Sequence, residues 1–341
     1  MKDKGVILAV DIGGTKVASG IVTSSGEILS KVRVPMVASK GARDALVAVR
    51  DAIDQVLEGR SKQRVKAIGV SVPGWVDSNT GTVLSAANLP CWKNFPLKSA
   101  LEKQYGLPVR IANDAKASAL AEAAWGAGRG YRNVFYATLG TGVGTGLVID
   151  GQIYSGRRGP AGEGGHTTID FHGPQCGCGK RGCAEMYISG KAIARMTRER
   201  IGSVAADRSV VLKLAGGVAA NITAENVTEA ASAGDELARS VLADIAEHMA
   251  IWLGNIIDLL EPEIIVIGGG LANLAMSLLP GIRRHLKHWA CSPGNRQTLI
   301  VEAAYGSESA LAGAAALFLP ETQTSSASSW SKRVRRRTSK R

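Results

Sequence analysis

Three cysteines stand close together, at Cys176, Cys178 and Cys183, and His166 precedes the first by ten residues. Thiolates and imidazole are the ligands of closed tetrahedral zinc sites, so this set predicts a Cys3His site. The alternative is a group of free thiols, which is disfavoured because clustered cysteines in a chain without an export signal point to a metal. His172 is a rival fourth ligand, and His166 is preferred because of the residues around it.

Two acidic residues flank this predicted metal loop. Glu163 lies within the stretch Gly162-Glu-Gly-Gly-His166, and Glu185 follows shortly after Cys183. A metal clamp would hold Glu163, His166 and Glu185 rigid, and rigid carboxylates in a cleft suit pairs of sugar hydroxyls. The alternative for each acid is a solvated surface charge, which is less attractive because both flank the same loop.

Two glycine-rich turns between strands predict contacts to phosphate. The first contains Asp11, Gly13, Gly14, Thr15 and Lys16, and the second contains Gly140, Thr141 and Gly142. Glycines let backbone amides face a phosphate, Thr15 adds a hydroxyl, and Asp11 is placed to hold magnesium through water. The first turn alone also fits a plain β-turn. Neither is a P-loop or a dinucleotide turn, because no helix follows directly. Facing each other across a cleft, the two turns would cradle the β- and γ-phosphates of a nucleotide.

Two further places combine strand ends with helix starts. Gly268, Gly269 and Gly270 follow an apolar strand, where a base or ribose could lie flat, although a strand-to-helix connection needing left-handed backbone explains them equally well. Asn113 and Asp114 also stand between a strand and a helix. We interpret Asp114 as a general base that takes a proton from an attacking hydroxyl, the alternative being an ordinary N-cap.

The elements that must position these residues occur in two similar series. The first predicts strands at 6–10, 17–22, 28–34, 65–72 and 109–112, with helices at 42–57 and 114–126; the second predicts strands at 133–138, 146–149 and 263–267, with helices at 187–200, 223–233, 236–260 and 307–318. Each series opens with strands around a glycine turn, and strands mixed with helices point to α/β layers. The sequence therefore predicts a duplicated α/β fold with a cleft between two lobes.

Composition sets limits on the class of protein. The 341 residues are 45% hydrophobic and 21% charged, as in ordinary soluble globular proteins. The formal charge is +12, of which the segment 331–341 supplies seven positive charges, leaving +5. We expect this tail to be a solvated appendage after a disordered linker, with nucleic-acid binding the less favoured alternative. The uncharged stretch 264–282 is interrupted by glycines and Pro280, so we expect no membrane span and a cytoplasmic location.

Taken together, these residues resemble the ROK family of repressors and sugar kinases, over nearly all of residues 5–318. The most specific motif is Cys-x-Cys-Gly-x-x-Gly-Cys-x-Glu at 176–185, supported by Asp-x-Gly-Gly-Thr at 11–15 and Gly-Glu-x-Gly-His at 162–166. The resemblance implies a two-lobed actin-like ATPase fold of the ribonuclease H-like class, built on a duplicated βββαβα-type unit. It further implies ATP and Mg²⁺ in the cleft, structural Zn²⁺, and a homodimer.

The resemblance also implies roles for individual residues. Asp114 would be the catalytic base of a hexose kinase. The sugar would be held by Asn88, Asn113, Asp114, Glu163, His166 and Glu185, with one ring nitrogen of His166 on zinc and the other on a sugar hydroxyl. The expected domains are residues 1–115 completed by 305–320, residues 116–304 with the zinc loop, and a tail at 321–341.

Two features depart from the family pattern, namely the basic tail and Lys116, which replaces a frequent Asn and could alter the electrostatics of the cleft. Family repressors carry a DNA-binding domain ahead of the Asp11 turn, and the few residues before it here argue against a repressor. Glucose is the expected substrate, with N-acetylglucosamine or N-acetylmannosamine next and fructose or allose open. The alternative of another class is a non-catalytic sugar sensor.

Overall fold

The computed structural model describes residues 5–38, 41–58, 65–86, 88–202, 209–292, 294 and 297–320. The predicted tail at 321–341 lies outside the described residues. The chain forms two compact units, the first comprising 1–136, 146–162 and 303–341, and the second comprising 137–145 and 163–302. The predicted domain boundaries stay a prediction, and these units are drawn differently, since the helix after Asp114 belongs to the first unit.

The first ten elements follow one another closely. They are β1 (Val6–Ile12), β2 (Lys16–Val22), β3 (Ile28–Pro35), α1 (Ala42–Leu57), β4 (Val65–Val72), β5 (Trp75–Asp77), β6 (Thr82–Ser85), α2 (Leu97–Tyr105), β7 (Val109–Asn113) and α3 (Asp114–Ala124). Five of the strands form one sheet in the order β3-β2-β1-β4-β7. The first three strands are antiparallel neighbours, while β4 pairs parallel with both β1 and β7. The predicted meander and the helix at 42–57 are confirmed.

The remaining elements repeat this plan. They are β8 (Val134–Leu139), β9 (Val143–Ile149), β10 (Gln152–Ile153), α4 (Glu185–Ile188), α5 (Gly190–Ile201), α6 (Val210–Leu214), α7 (Ala224–Ser232), α8 (Glu236–Leu260), β11 (Ile264–Gly268), α9 (Ala272–Ser277), α10 (Leu279–Trp289), β12 (Leu299–Glu302) and α11 (Ser309–Ala316). The second sheet has the order β10-β9-β8-β11-β12, which matches the first sheet strand for strand. The predicted duplicated α/β fold is confirmed.

The helix predicted over 187–200 is wrong at its start. The structure has a short α4 and then a break at Ser189, whose extended backbone and side chain begin α5 anew by accepting from Ala192 N at 3.2 Å. Serine followed by glycine favours such a cap over helix interior. The break matters, because it turns the chain just after the predicted metal loop.

Small residues bring α3 and α11 into close contact within the first unit. A Cβ at Gly313 of α11 would overlap the backbone of Ala117 in α3, and one at Gly69 of β4 would overlap Ala314. The carboxylate of Glu122, fully buried in α3, accepts from Ala304 N and Tyr305 N at 3.0 and 2.9 Å. These contacts fix α3, and with it Asp114 at its first turn. Within the described residues, no helix is both long and apolar enough to cross a membrane.

Candidate functional site

In the first unit, the parallel strands β1, β4 and β7 end at one edge of the sheet. Asp11 of β1 pairs with Ser71 of β4, which pairs with Ala112 of β7, so the three residues form one row. Asp114 follows this row by two residues. The carboxyl ends of parallel strands are the usual ligand-binding edge of an α/β sheet. Two predicted site residues, Asp11 and Asp114, therefore lie at such an edge.

The carboxyl group of Asp11 is buried in this edge. Burial raises the pKa of Asp11 above its usual value, while a hydrogen bond from Ser71 Oγ at 2.7 Å and the charge of Lys16 act in the opposite direction. A desolvated carboxylate gains most from a nearby cation. The predicted role of Asp11 toward magnesium fits this environment. Ser71 was not predicted as a site residue, since a lone serine in an apolar strand carries no signal.

Asp114 is the first residue of α3. The helix is capped by Asn113, whose Oδ1 accepts from Ala115 N and Lys116 N at 3.0 and 3.2 Å. Asp114 Oδ1 accepts from Ala115 N at 2.8 Å. Asn113 is thus the N-cap, and the N-cap alternative for Asp114 is wrong. The amide of Asn113 also donates to Gly74 O at 3.0 Å, which ties the cap to the loop after β4.

The first glycine turn closes tightly between β1 and β2. Gly13 N donates to Lys16 O at 2.8 Å. A Cβ on Gly14 would lie 2.8 Å from the carbonyl oxygen of Asn88, so no larger residue fits there without a shift. The structure therefore brings the predicted phosphate turn into contact with Asn88, a predicted sugar-binding residue.

Lys116, which departs from the family pattern, points away from solvent. Its side chain is buried and its ammonium group donates a hydrogen bond to the carbonyl of Gly159. Gly159 has a left-handed backbone and packs against Val76, so this segment is fixed in place. Lys116 connects the start of α3 to the segment that leads to Glu163. It lies two residues after Asp114 in the chain.

In the second unit, β8 leads into the second glycine turn, and β11 leads into the glycines at 268–270. Gly140 N donates to Gly142 O at 3.0 Å within the turn, and Gly190 N at the start of α5 donates to Gly140 O at 2.8 Å. Gly269 has a left-handed backbone, and its α-carbon faces the end of β8 so closely that a Cβ would overlap Leu139. The second glycine turn and the glycines at 268–270 are therefore neighbours, as a shared nucleotide-binding role requires.

The predicted metal ligands come together in the same unit. The ligand atoms of His166, Cys176, Cys178 and Cys183 all lie within 4.8 Å of one another. Cys178 Sγ is 3.6 Å from Cys183 Sγ, and Cys176 Sγ is 3.6 Å from His166 Nδ1. Zinc bonds of about 2.3 Å to sulfur in a tetrahedron would separate sulfurs by about 3.8 Å, which these positions match.

The chemistry of this donor set also fits a metal. Burial and the neighbouring thiols raise the pKa of Cys183 to about 12, so a thiolate there needs a compensating positive charge. The rival His172 is exposed and is not among the residues whose ligand atoms come together. His166 and the three cysteines thus form a cluster that could hold a zinc ion, and their role as zinc ligands stays a prediction.

Both predicted acids lie next to this cluster. Glu163 immediately precedes the 3-10 helix Gly164–His166, and its carbonyl accepts from His166 N at 3.0 Å. Glu185 begins α4, and its Oε2 accepts from Val143 N at 2.9 Å. Glu185 thereby connects the metal loop to the strand that follows the second glycine turn, a contact across 42 residues that no local pattern could reveal.

Each unit thus brings part of the predicted site together. The first holds Asp11, the turn at 13–16, Asn88, Asn113 and Asp114. The second holds the turn at 140–142, Glu163, the metal ligands, Glu185 and the glycines at 268–270. That the two sets face one cleft stays a prediction.

Comparison with known proteins is consistent with these geometries. The model of the ROK family matches residues 7–321. The chain belongs to the ROK family. It is 36% identical over 315 residues to a glucokinase of Streptomyces coelicolor, covering 92% of this chain and 97% of that protein. Its fold matches the crystal structure of a ROK family glucokinase from Streptomyces griseus in complex with glucose and AMPPNP, with a TM-score of 0.78 and 36% identity over 92% of this chain and 99% of that one. The predicted actin-like ATPase fold is confirmed by this likeness.

Other ROK relatives differ in function. An N-acetyl-D-glucosamine kinase of Mannheimia succiniciproducens is 31% identical over 330 residues, covering 92% of this chain and 99% of that protein. A xylose repressor of Caldicellulosiruptor bescii is 31% identical over 269 residues, covering 78% of this chain and 66% of that protein. Family membership therefore leaves the choice of activity to the site residues.

Proposed function

We propose that this protein is an ATP-dependent sugar kinase that phosphorylates a hexose at its 6-hydroxyl, with glucose as the substrate. The observation that carries the proposal is Asp114 at the capped start of α3, at the same sheet edge as the buried carboxyl of Asp11. A base and a cation-binding carboxylate are the two acids that phosphoryl transfer to an alcohol requires. The similarity to glucokinases supports glucose over other hexoses.

In this mechanism Asp114 accepts the proton of the sugar hydroxyl as that oxygen attacks the γ-phosphorus. The carboxylate is held by the N–H of Ala115 and sits at the positive end of the α3 dipole, which fixes its orientation. Asn113 keeps the start of the helix in place through Gly74. Proton removal belongs to the transition state, so Asp114 acts mainly on kcat.

The chain's backbone would bind the nucleotide. The N–H groups of Gly13 and Gly140 close the two turns, so Gly14 and Gly142 would present amides to the β- and γ-phosphates, while Thr15 and Lys16 would add a hydroxyl and a charge. Gly268 to Gly270 would lie against the ribose or base. Asp11 would hold a magnesium ion through water, and the ion would supply positive charge to neutralise the charge that develops on the phosphates.

Glu163, His166 and Glu185 would orient the sugar, with Asn88 and Asn113 contributing amides. His166 Nδ1 faces the cysteines, which leaves Nε2 for a sugar hydroxyl. The bound zinc would be structural, since three thiolates and one imidazole complete its tetrahedron. The metal loop would then hold two sugar-binding acids at fixed positions.

A second candidate substrate is N-acetylglucosamine, favoured by the N-acetyl-D-glucosamine kinase among the relatives. A sugar-sensing regulator is the alternative of another class, and the relatives include a xylose repressor. The arrangement of Asp11 and Asp114 argues for the enzyme, because a sensor needs neither a base nor a magnesium-binding carboxylate. As part of the proposal, the enzyme acts in the cytoplasm as a homodimer, and light scattering on the full chain tests the dimer.

The proposal is tested by ADP release from MgATP against glucose, N-acetylglucosamine, N-acetylmannosamine, fructose and allose. We expect strong turnover with glucose and weak turnover with the others. Strong turnover with an N-acetylated sugar alone would make the second candidate correct. If folded protein with a full zinc content released no ADP with any of the five sugars, the result would contradict the kinase proposal.

A further inference from the structure

The backbone of Gly164 is held at both of its polar atoms by buried side chains. Its N–H donates to Thr145 Oγ1 at 2.7 Å, and its carbonyl accepts from the indole N–H of Trp252 at 2.9 Å. Thr145 is 5% exposed and Trp252 is fully buried on α8. The hydroxyl of Thr167 donates to the same carbonyl at 2.7 Å. The two peptide groups that flank Gly164 are therefore each anchored by a side chain distant in sequence, Thr145 on the first and Trp252 on the second.

Gly164 stands between two residues of the proposed sugar site. Glu163 precedes Gly164, and His166 follows two residues later in the same 3-10 helix. Gly165 packs so closely on Val143 that a Cβ would overlap the carbonyl oxygen of that residue. A rotation of the peptide before Gly164 would displace Glu163, and a rotation of the peptide after it would displace His166.

The hydroxyl of Thr145 is the link to the second glycine turn. Thr145 lies on β9, three residues after Gly142, and β9 also receives the carboxylate of Glu185 at Val143. Valine would fill the same volume and suit a strand well. The hydroxyl is therefore best explained by the hydrogen bond that it accepts from Gly164.

We infer that Thr145 and Trp252 are positioning residues, which set Glu163 and His166 relative to the second glycine turn by holding the N–H and the carbonyl of Gly164. The inference rests on the proposed function for its effect on sugar binding. Neither side chain needs to touch sugar or nucleotide. Thr145 carries more of the effect, because the Gly164 carbonyl keeps Thr167 as a donor when Trp252 is changed.

The test compares Thr145→Val and Trp252→Phe with matched controls in buried positions. Thr197→Val removes a hydroxyl that donates to Ile193 O within α5, and Trp92→Phe removes an indole donor to Ala42 O in the first unit. Calorimetric titration with the preferred sugar, without nucleotide, should show about tenfold weaker binding for Thr145→Val, the usual effect of a buried donor left unpaired. Trp252→Phe should weaken binding less, and the controls should not weaken it.

Two further variants distinguish positioning from general destabilisation. Thr145→Ser keeps the hydroxyl and should restore sugar affinity. The Thr145→Val, Trp252→Phe double variant should lose less than the product of the two single effects, since both act on the backbone of one residue. The sugar KM should rise while kcat changes little. Weakened binding that Thr145→Ser does not restore, or that the controls share, would overturn the inference.

Zinc release to a chelator supplies a readout that needs no sugar. Because His166 lies two residues after Gly164 in the same 3-10 helix, Thr145→Val and Trp252→Phe should release zinc several-fold faster than the wild type, whereas Thr197→Val and Trp92→Phe should not. Wild-type release rates in the first two variants would overturn the placement of His166. If the wild type binds none of the five sugars, the proposed function fails, and zinc release still decides this inference.

Discussion

The two sheets share one strand order but differ in the chemistry at the edge where their parallel strands end. The first edge carries carboxyl groups, namely the buried Asp11 and Asp114 at the start of α3. The second edge carries glycines at 140–142 and 268–270, and beside the turn at 140–142 lies a loop with four metal ligands. The duplicated fold thus supplies two equivalent frames. Under the proposed function the first would serve proton transfer and cation binding, and the second would serve backbone contacts to a ligand.

The two edges differ in what holds their side chains in place. At the first edge Asp11 lies in a strand and Asp114 in a helix, so the sheet and the α3–α11 packing hold them. At the second edge the glycine turn and the three cysteines lie in loops, and the hydrogen bonds of Glu185 and Gly164 connect the surrounding segments to β9. Substitutions at the first edge should therefore affect turnover, and substitutions at the second should affect metal content and ligand affinity.

The largest effect is expected at the first edge from Asp114→Asn. The amide keeps the acceptor for Ala115 but cannot take a proton, so kcat should fall by about 10²- to 10⁴-fold with sugar affinity nearly unchanged. Steady-state kinetics and sugar titration measure the two effects. Asp44→Asn, at an exposed acid in the first turn of α1, is the control. Turnover near the wild-type value would remove Asp114 from its proposed role.

The second edge should lose its metal in Cys178→Ser. A hydroxyl is a poor zinc ligand, so we expect zinc affinity to fall by at least about 100-fold, with a lower melting temperature and a raised sugar KM. Metal analysis and thermal unfolding check this. Cys291→Ser, at an exposed cysteine outside the cluster, should behave as wild type. A full zinc content in Cys178→Ser would refute the proposed ligand set.

Gly140→Ala sharpens the contrast, because it tests ligand approach without disturbing the fold. A Cβ at Gly140 meets no atom within 4 Å, and its backbone is not left-handed. A methyl group facing the phosphates should raise the ATP KM by about tenfold or more, with the melting temperature unchanged. Gly202→Ala, equally open at the end of α5, is the matched control. An unchanged ATP KM would place this turn away from the nucleotide.

The smallest effect is expected from Asp11→Asn. It is measured as the change in melting temperature of the protein without nucleotide. Burial raises the pKa of Asp11, so its charged form destabilises the folded chain at neutral pH. The asparagine variant should therefore melt at a higher temperature at pH 7. This advantage should shrink as the pH falls through the raised pKa toward the ordinary value of 3.8, because the wild-type carboxyl is then protonated. A lower melting temperature at pH 7 would show that the charge of Asp11 is stabilising.

The sequence predicted helices and strands well where the spacing of apolar residues and the capping residues indicate the same element. Helix α8 was predicted over its full length, because its apolar residues recur at helical spacing and Asp235 caps it through Ala238 N at 2.9 Å. The metal ligands were found because their types and spacing are specific. Helix α10 was missed, since Pro280 and Gly281 lie in its first turn and read as a turn.

The contacts that assemble the candidate site were beyond sequence reasoning. Trp252 reaches Gly164 across 88 residues, and Ser71 reaches Asp11 across 60. Thr145 and Trp252 were not predicted as site residues, because nothing in their neighbourhood marks a polar partner. Such contacts depend on which helices and strands pack together. The spacing of apolar residues along the chain does not specify this packing.

The most direct test of the central claim is to identify the product formed from glucose and MgATP. Phosphorus NMR of the reaction mixture, with ADP measured in parallel, follows both products of the transfer. The account predicts glucose 6-phosphate in equal amount to ADP, and neither product above background in Asp114→Asn. ADP without a phosphorylated sugar, or no reaction by folded and zinc-loaded protein, would contradict it.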